Sequence, residues 1–488
     1  MINFRQIARV LSVLLIIIGL MMFTGLPFSF YFNSGDEMPL LISGLICIVT
    51  AAVLWLSSSN GRGSISRRDG YLIVALGWVV MVSFSMLPYL VSGEIPSVAN
   101  AFFETMSGMT TTGASILTDI EKVPEGILYW RSLTQWIGGM GIIVLTVAIF
   151  PLLGIGGIEL FAAEAPGPTS DKIHPRIQET AKRLWLIYLG LTVLLILFLK
   201  WAGMSFFDAI NHALTAMATG GFSTKNASIA AYDSPAIQYA LIIFMFLAGA
   251  NYTVTYLALK GKWRKVLSND EFKSYFSFVV ILGVIVSLCL FSIKNSGVET
   301  MAFEKVFRDS LFQVVSLITT TGFVSADYTS WSPGLTMLCF ILLFLGACAG
   351  STAGGIKFIR HLVFIKNSFL EFKRLLHPRA IIPLKLNGQT VPPHIMTHVI
   401  IFLLLYIMIF ILGSVVMSAM GYDFLTSIGA VATSLGNVGP GIGKVGPVDN
   451  FAWLSDPAKW LLSFLMLLGR LELFTILVLM TPYFWKSN

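Results

Sequence analysis

The sequence predicts an all-α polytopic membrane protein, with two leading transmembrane helices followed by four span–pore-loop–span repeats in pseudo-fourfold symmetry. Three observations lead to this fold class. Of the 488 residues, 56% are hydrophobic and only 12% are charged, whereas soluble domains average about 25% charged residues. Ten apolar runs are long enough to cross a bilayer, which takes about 20 residues. A short motif recurs four times between these runs, and internal repeats indicate architecture.

The apolar runs divide the chain into a leading pair and four later pairs, and each later pair encloses one copy of the motif. The runs lie at 7–31, 38–58, 71–92, 127–150, 184–203, 236–259, 275–293, 334–358, 396–420 and 457–484. The predicted domains are therefore the two leading helices (1–66), pore repeat 1 (67–153), a cytoplasmic loop with pore repeat 2 (154–265), pore repeat 3 (266–385) and pore repeat 4 (386–488).

Basic residues predict the orientation of these spans. About 22 of the 32 Lys and Arg residues fall on one side of the membrane, which the positive-inside rule identifies as cytoplasmic. This side holds the 154–183 loop, KGKWRK (260–265) and the 357–385 stretch. All four copies of the motif then face outward. Membrane orientation accounts for the net charge of +7, and no nucleic-acid partner is predicted.

The repeated motif is a helix-like segment followed by a loop of threonine, glycine and other small residues. The loops, here called pore loops 1 to 4, read TTTGAS (110–115), ATGGFST (218–224), TTTGFVSAD (319–327) and TSLGNVGPG (433–441). Each preceding segment has about 12 residues and is about 18 Å long, too short to span a bilayer. It therefore enters the membrane and stops, and the returning loop must line a water-filled path or be buried in protein.

One glycine recurs at the same place in every pore loop. Counted without gaps from Asn100, Asp208, Asp309 and Asp423, the same offset ends at Gly113, Gly221, Gly322 and Gly436, and Gly439 competes for the fourth place. Glycine allows the positive φ that turns a main-chain carbonyl toward a central axis, and it leaves no side chain in the path.

Four such loops around one axis predict a cation filter. Rings of carbonyl oxygens replace the water that an entering cation loses, and the negative ends of the short helices favour a cation near the membrane centre. The alternative is that the glycines are packing contacts between helices. The predicted filter residues are Thr110, Thr111, Thr112, Gly113, Thr219, Gly220, Gly221, Thr320, Thr321, Gly322, Leu435, Gly436 and Asn437.

The second span of repeat 3 is interrupted by GACAGSTAGG (346–355). Glycine disfavours a helix by about 1 kcal/mol per residue, so this stretch is predicted to form a loop inside the membrane, below the filter. We interpret it as a movable gate; the alternative is a glycine-rich helix packed tightly against its neighbours. The predicted gate residues in it are Gly346, Gly350, Ser351, Thr352, Gly354 and Gly355.

Arg470 lies near the middle of the last span, where a charge costs at least about 2.5–3.5 kcal/mol on insertion scales. Two roles are open. Arg470 donates to carbonyls of the 346–355 loop and holds it closed, or it pairs with Glu472 or another carboxylate. Glu472 is two residues away and on another face of a helix, which favours the first role and makes Arg470 part of the predicted gate.

The pore loops resemble those of the Trk/Ktr/HKT potassium transporter superfamily. The resemblance rests on TTTGAS, ATGGFST, TTTGFVSAD, the divergent GNVGPG, QWIGGMG (135–141) and GRLELFT (469–475). The two extra leading spans make the chain most similar to the membrane subunit of the bacterial Trk potassium uptake system. This resemblance implies potassium uptake across the bacterial cytoplasmic (inner) membrane. The potassium ligands it implies are Thr111, Thr112, Gly113, Gly220, Gly221, Thr321, Gly322 and Gly436.

The resemblance also implies partners. They are a second copy of the chain, in a homodimer, and a cytosolic nucleotide-binding ring subunit that opens the 346–355 gate. Potassium is the expected substrate, and no covalently bound cofactor is predicted. In plant relatives a serine at the first glycine position is associated with sodium transport, so Gly113 favours potassium.

Two other functional classes are weighed against a channel. A symporter that couples potassium to protons or sodium needs acidic residues inside the membrane, and apart from Glu104 and Glu472 these are scarce. An enzyme is not predicted, because no Ser/His, His/Asp or carboxylate pair has catalytic spacing within the spans. The six histidines show no metal-binding spacing.

Overall fold

The computed structural model of the protein describes residues 2–58, 66–144, 177–295 and 302–486. Within these ranges the chain is helical apart from turns, loops and one small antiparallel hairpin, in which Lys385–Leu386 pairs with Gln389–Thr390. This confirms the predicted all-α membrane fold. Most of the predicted 154–183 loop and the end of the predicted 127–150 span lie outside the described residues.

The leading helices form a hairpin that packs against repeat 1. Phe4–Phe23 is followed by Leu26–Phe32, and the chain returns through Glu37–Ser57. The buried Asp36 stands at the turn, where its carboxylate accepts hydrogen bonds from the hydroxyls of Ser29 and Ser34. It also accepts one from the main-chain N–H of Ile127 at 2.6 Å. A buried carboxylate needs such donors, so this turn is tied to repeat 1.

Each repeat consists of a first span, a short pore helix and a second span. Repeat 1 has Arg67–Ser85 with Leu87–Ser92, pore helix 1 (Val98–Met109) and Glu125–Val144. Repeat 2 has Ile177–Trp201, pore helix 2 (Phe206–Met217) and Pro235–Gly249 with Tyr252–Leu259. Repeat 3 has Asp270–Asn295, pore helix 3 (Phe303–Ile318) and Pro333–Leu342 with Phe358–Leu376. Repeat 4 has Pro393–Ala419, pore helix 4 (Phe424–Gly436) and Asp456–Arg470 with Phe474–Leu479.

Short elements connect these parts. The described residues also include the short α-helices Trp263–Leu267 and Pro482–Trp485 and the 3₁₀ turns Ile120–Lys122, Ser228–Ala231 and Tyr328–Ser330. The 3₁₀ turns follow pore loops 1, 2 and 3, so these three loops return to the surface in a similar way.

Among the described residues, six helices are long and apolar enough to cross a membrane, or seven if the pair Pro235–Gly249 and Tyr252–Leu259, bent by 110°, is one span. The sequence predicted ten. The difference arises mainly because the second spans of repeats 2, 3 and 4 are broken in the middle. The sequence predicted a break only in repeat 3. In repeat 2 the break is fixed by Asn251, whose side chain accepts from Thr253 N at 2.8 Å and starts a new helix.

Apolar side chains cover the outside of the molecule, and the pore helices lie inside. Only 22% of the most apolar part of Pro393–Ala419 is buried, and Leu404 and Val415 are 64% and 60% exposed. Ala213, Ala216 and Met217 of pore helix 2 are fully buried. Large exposed apolar surfaces mark contact with lipid or protein. The long first spans therefore face the lipid, and the pore helices are enclosed.

Candidate cation-binding site

The four pore loops share one backbone conformation. After each pore helix, the chain takes a positive φ twice, with one residue between. The first positions are Thr111, Thr219, Thr320 and Asn437, at φ of 52° to 56°. The second are Gly113, Gly221, Gly322 and Gly439, at φ of 76° to 100°. Residues other than glycine rarely adopt positive φ, so the recurrence at one place in four loops establishes their structural equivalence.

The fourth equivalent glycine is Gly439, and the gapless count that ended at Gly436 is offset by three residues. Asn100 and Asp208 are third residues of their helices, whereas Asp423 is the N-cap of pore helix 4. The caps that correspond to Asp423 are Ser97 and Ser205. From each of these three caps, the positive-φ glycine follows after 16 residues. Leu435 and Gly436 therefore end the helix and lie before the turn.

The pore loops meet in a closed ring of main-chain oxygens. The Cβ that an alanine would place at each glycine points at the carbonyl oxygen of the next loop, and the fourth loop returns to the first. The distances from that Cβ to the facing oxygen are 2.2 Å for Gly113 to Gly220, 1.9 Å for Gly221 to Thr321, 2.0 Å for Gly322 to Val438 and 2.7 Å for Gly439 to Thr112. Any side chain at these four positions would therefore strike a neighbouring loop.

The ring consists of uncharged main-chain oxygen atoms. The residues that supply the facing carbonyls are those just before each glycine: Thr112, Gly220, Thr321 and Val438. Within the described ranges, no three His, Cys, Asp or Glu side chains come together as a metal site. Carbonyls and threonine hydroxyls at the carboxyl ends of four pore helices suit a monovalent cation that must be stripped of water.

The 346–355 stretch is a loop, as the sequence predicts, and the alternative of a continuous packed helix is wrong. The helix Pro333–Leu342 ends before it, and Phe358–Leu376 begins after it. Gly346 N donates to Ile356 O at 2.9 Å, which closes the loop at its base. A Cβ on Gly346 would lie 2.4 Å from Gly354 O, so the two ends of the loop approach each other too closely for a side chain at this position.

This loop lies against the first positive-φ residues of three pore loops. The Thr352 hydroxyl is 3.3 Å from the Thr219 hydroxyl in pore loop 2, and Gly354 N donates to the Thr320 hydroxyl in pore loop 3 at 2.7 Å. A Cβ on Gly354 would lie 2.7 Å from the Cβ of Asn437 in pore loop 4. Its tip therefore occupies the space directly next to the ring, at the helix-side end of the pore loops.

The remaining pore loop is reached by Arg470, which is 4% exposed. Its Nη1 donates to Thr352 O at 2.8 Å and to the Thr111 hydroxyl at 3.0 Å, and its Nη2 donates to Gly138 O at 2.9 Å. Of the two contacts that the sequence left open, the structure contains the one to the 346–355 loop. Glu472 instead forms a buried ion pair with Arg360.

Other predicted gate residues contact the loop itself. Ser351 donates to Cys348 O at 2.6 Å, within the loop. Gly350 and Gly355 have φ of 71° and 65°, and a positive φ favours glycine. Gly350 O accepts from Tyr252 N at 3.2 Å, at the start of the helix after the repeat 2 break. The break in repeat 2 thus holds the loop from one side.

A sequence model described as "TrkH: Cation transport protein" matches residues 37–486. The chain belongs to the TrkH family. This confirms the family resemblance that the pore loops predicted.

Relatives of the TrkH family match along almost the whole chain. The Trk system potassium uptake protein TrkH of Salmonella typhimurium (strain LT2) is 41% identical over 492 residues, covering 99% of this chain and 100% of the relative. The Trk system potassium uptake protein TrkG of Escherichia coli (strain K12) is 33% identical, with 99% of each chain covered. The crystal structure of the potassium transporter TrkH from Vibrio parahaemolyticus gives a TM-score of 0.88 at 37% identity, over 99% of this chain and 100% of that one.

The structure of this TrkH-family chain adds an ion pair that the sequence did not predict. Arg131 and Glu104 are 2% and 0% exposed, and Arg131 Nε lies 2.7 Å from Glu104 Oε1. Arg131 also donates to Ser223 O at 3.0 Å, and Glu104 accepts from Ile116 N at 2.8 Å. The pair therefore joins pore loops 1 and 2 on the far side of the ring from Arg470. The signal in the sequence for this ion pair was Glu104, a carboxylate in a predicted re-entrant helix, because a buried charge requires a partner.

A second carboxylate, also not predicted, holds the 346–355 loop. Glu271 lies in the first turn of Asp270–Asn295, is 6% exposed, and accepts from Ala349 N at 2.7 Å. Its neighbour Asp270 accepts from the Lys366 ammonium group at 2.9 Å and from Asn387 N at 3.0 Å. These contacts connect the loop with the helix that follows it and with the small β-hairpin. They depend on tertiary contacts that spacing along the sequence does not reveal.

Proposed function

We propose that this TrkH-family chain takes up potassium across the bacterial cytoplasmic (inner) membrane by channel-like conduction through the ring of pore-loop carbonyls. The observation that carries the proposal is the closed ring itself, in which each glycine admits the facing carbonyl of the next loop. Curated relatives that match the full chain are named as potassium uptake proteins. Carbonyl rings replace the hydration shell of potassium.

The proposed ligands follow the structural register. In the first three loops they include Gly113, Gly220, Gly221, Thr321 and Gly322, together with Thr111 and Thr112, as the sequence predicts. In the fourth loop, Val438 O faces the ring and Gly439 has the matching φ of 100°. We therefore propose Val438 and Gly439 in the place that Gly436 held in the sequence-based prediction.

The 346–355 loop and Arg470 are the proposed gate. The loop tip lies against the pore loops, and a guanidinium group bonded to Thr352 O and the Thr111 hydroxyl adds a buried positive charge there. A positive charge on the path repels an approaching cation, and it is barely screened when buried. Conduction then requires the loop and Arg470 to move away together.

Two observations favour a channel over a symporter. The acidic residues that the sequence offered for proton or sodium coupling are Glu104 and Glu472, and each is paired with a buried arginine, Arg131 and Arg360 respectively. A carboxylate that is paired with a buried guanidinium group is not available to bind a coupling ion, because breaking the pair would leave an uncompensated buried charge.

The partners remain those that the family resemblance implies, a homodimer and a cytosolic nucleotide-binding ring subunit. One feature supports a docking role for the cytoplasmic end of Phe358–Leu376. Phe369, Phe372 and Leu375 of this helix are 67%, 64% and 72% exposed, and the helix leads directly from the 346–355 loop. A subunit that moved this helix would therefore act on the gate.

The test is the reversal potential of the purified protein in vesicles with opposed potassium and sodium gradients. Gly113→Ser should shift the reversal potential toward sodium, because the new Cβ would meet Gly220 O at 2.2 Å. Gly93→Ser is the matched control, since Gly93 has a similar φ of 78° and nothing within 4 Å of a Cβ. An unshifted reversal potential in Gly113→Ser would overturn the proposal.

A further inference from the structure

The buried side chain of Gln135, in repeat 1, is hydrogen-bonded to main-chain atoms on both sides of Gly221, the ring glycine of pore loop 2. Its Nε2 donates to Gly220 O at 2.7 Å, and its Oε1 accepts from Phe222 N at 3.0 Å. The two bonds fix the orientation of the amide, because one partner is an acceptor and the other a donor. Gly220 O is also the oxygen that faces Gly113 in the ring. One side chain from another repeat is therefore bonded to a ring carbonyl.

Pore loop 2 lacks the support that pore loops 1 and 3 carry in their own sequences. In loop 1 the hydroxyls of Thr110 and Thr112 are 2.8 Å apart, and in loop 3 those of Thr319 and Thr321 are 2.7 Å apart. Each pair links the residue after the pore helix to the residue that supplies the ring carbonyl. In loop 2 the equivalent residues are Ala218 and Gly220, which have no hydroxyl groups.

Gln135 fills the space that a threonine would occupy in loop 2. A Cβ built on Gly220 would lie 2.4 Å from the side-chain carbon and oxygen of the Gln135 amide. Gly220 does not have a positive φ, so the backbone would accept a threonine there. The absence of a side chain at this position is therefore required by Gln135.

Pore loop 4 also lacks a hydroxyl pair, but it has a different support. Its equivalent residues are Gly436 and Val438. The side-chain amide of Asn437 donates to the Thr112 hydroxyl at 3.0 Å and to Met466 O at 2.9 Å. Loop 4 is thus supported by its own side chain, whereas loop 2 depends on a residue 85 positions away.

We propose that Gln135 is a positioning residue that sets the Gly220 carbonyl and thereby determines the preference of the ring among monovalent cations. The proposal rests on the proposed filter function. A carbonyl that can rotate away leaves the ring with three fixed oxygens at that level, and such a ring discriminates less between ions of different size. Gln135 does not contact the ion in this account; it acts through Gly220.

The first experiment compares Gln135→Met with the wild type in vesicles, by the ratio of potassium to sodium permeability. Methionine keeps the volume of the side chain and removes both hydrogen bonds, so a role limited to packing would leave the ratio unchanged. We expect the ratio to fall about tenfold, as the loss of two buried hydrogen bonds implies. Gln238→Met is the control, because Gln238 is also buried and bonded to a carbonyl, Tyr232 O, outside the ring.

A second experiment tests whether Gln135 does in loop 2 what the threonine hydroxyls do in loops 1 and 3. Gly220→Thr alone should abolish conduction through its clash with Gln135. Gln135→Ala combined with Ala218→Thr and Gly220→Thr rebuilds the hydroxyl pair of loops 1 and 3, and it should recover much of the permeability ratio lost in Gln135→Ala. A Gln135→Met ratio within twofold of the wild type, or a triple variant no better than Gln135→Ala, would overturn the proposal. If Gly113→Ser also leaves the ratio unchanged, the filter function itself fails; if Gly113→Ser lowers it, only the role of Gln135 fails.

Discussion

Arg470 Nη1 lies 2.8 Å from the carbonyl oxygen of Thr352, at the tip of the 346–355 loop. The same nitrogen lies 3.0 Å from the Thr111 hydroxyl in pore loop 1. One buried guanidinium group therefore fastens the proposed gate to the ring, and it places a positive charge beside the oxygens that would hold a cation. The proposed gate and the proposed filter are thus in direct contact.

Arg470→Ala should raise the potassium flux of the protein in vesicles. The substitution removes three hydrogen bonds and a charge that repels cations, and bonds to a charged donor contribute about 1.5–3 kcal/mol each. We expect the flux to increase at least about tenfold. Arg470→Lys should increase it less, because an ammonium keeps the charge but cannot form the same fork of contacts. Arg308→Ala, which removes a buried arginine at the start of pore helix 3, is the control; flux in Arg470→Ala no higher than in that control would contradict the gate.

Gly439→Ala and Gly436→Ala should have different consequences. A Cβ on Gly439 would lie 2.7 Å from Thr112 O in the ring, so this variant should lower the potassium-to-sodium permeability ratio. A Cβ on Gly436 would lie 2.5 Å from Leu343 O, which is not one of the four ring carbonyls. That variant should reduce the amount of folded protein and leave the ratio of the folded fraction unchanged. The two readouts are the reversal potential and the yield of monodisperse protein. A permeability ratio that changes only in Gly436→Ala would show that Gly436, and not Gly439, is the fourth ring glycine.

The sequence was sufficient for the parts of the fold that repeat. Four short segments followed by small residues predicted the re-entrant pore loops, and Gly113, Gly221 and Gly322 have the positive φ expected of them. The broken span in repeat 3 was also predictable, because several glycines in mid-span cannot form a stable helix. The breaks at Asn251 and at Glu472 lack such a run of glycines. They depend on local capping and on the ion pair with Arg360.

The parts of the site that the sequence did not predict depend on which residue begins a helix or on contacts between repeats. The count along the sequence ended at Gly436 and not at Gly439, because the sequence does not reveal that Asp423 is an N-cap whereas Asp208 is the third residue of its helix. Gln135 and Gly220 are 85 positions apart, and a glutamine in an apolar span has no spacing that names its partner. The available signal was that loop 2 has Ala218 and Gly220 where loops 1 and 3 have threonines.

Glu271→Ala should also raise potassium flux, by a smaller factor than Arg470→Ala. Glu271 accepts one hydrogen bond from the 346–355 loop, at Ala349 N, and its loss leaves the loop anchored by Arg470. A bond to a charged acceptor contributes about 1.5–3 kcal/mol, so its loss should weaken the closure of the gate. The measurement is flux into vesicles without added partners. Glu371→Ala is the control, because Glu371 is exposed and pairs with Arg374 outside the loop; equal flux in both variants would show that Glu271 does not hold the gate.

Glu104→Ala should destabilise the protein by about 3–5 kcal/mol, because it leaves the Arg131 guanidinium buried without its carboxylate. The double variant Glu104→Met with Arg131→Met removes both charges and keeps apolar volume, so it should be more stable than either single variant. Thermal unfolding in detergent measures these changes. Both the single and the double variants should also lower the potassium-to-sodium permeability ratio, since Arg131 donates to Ser223 O, two residues after Gly221, and Glu104 accepts from Ile116 N, three residues after Gly113. A double variant with the wild-type ratio would mean that the pair stabilises the fold but does not fix the distance between pore loops 1 and 2.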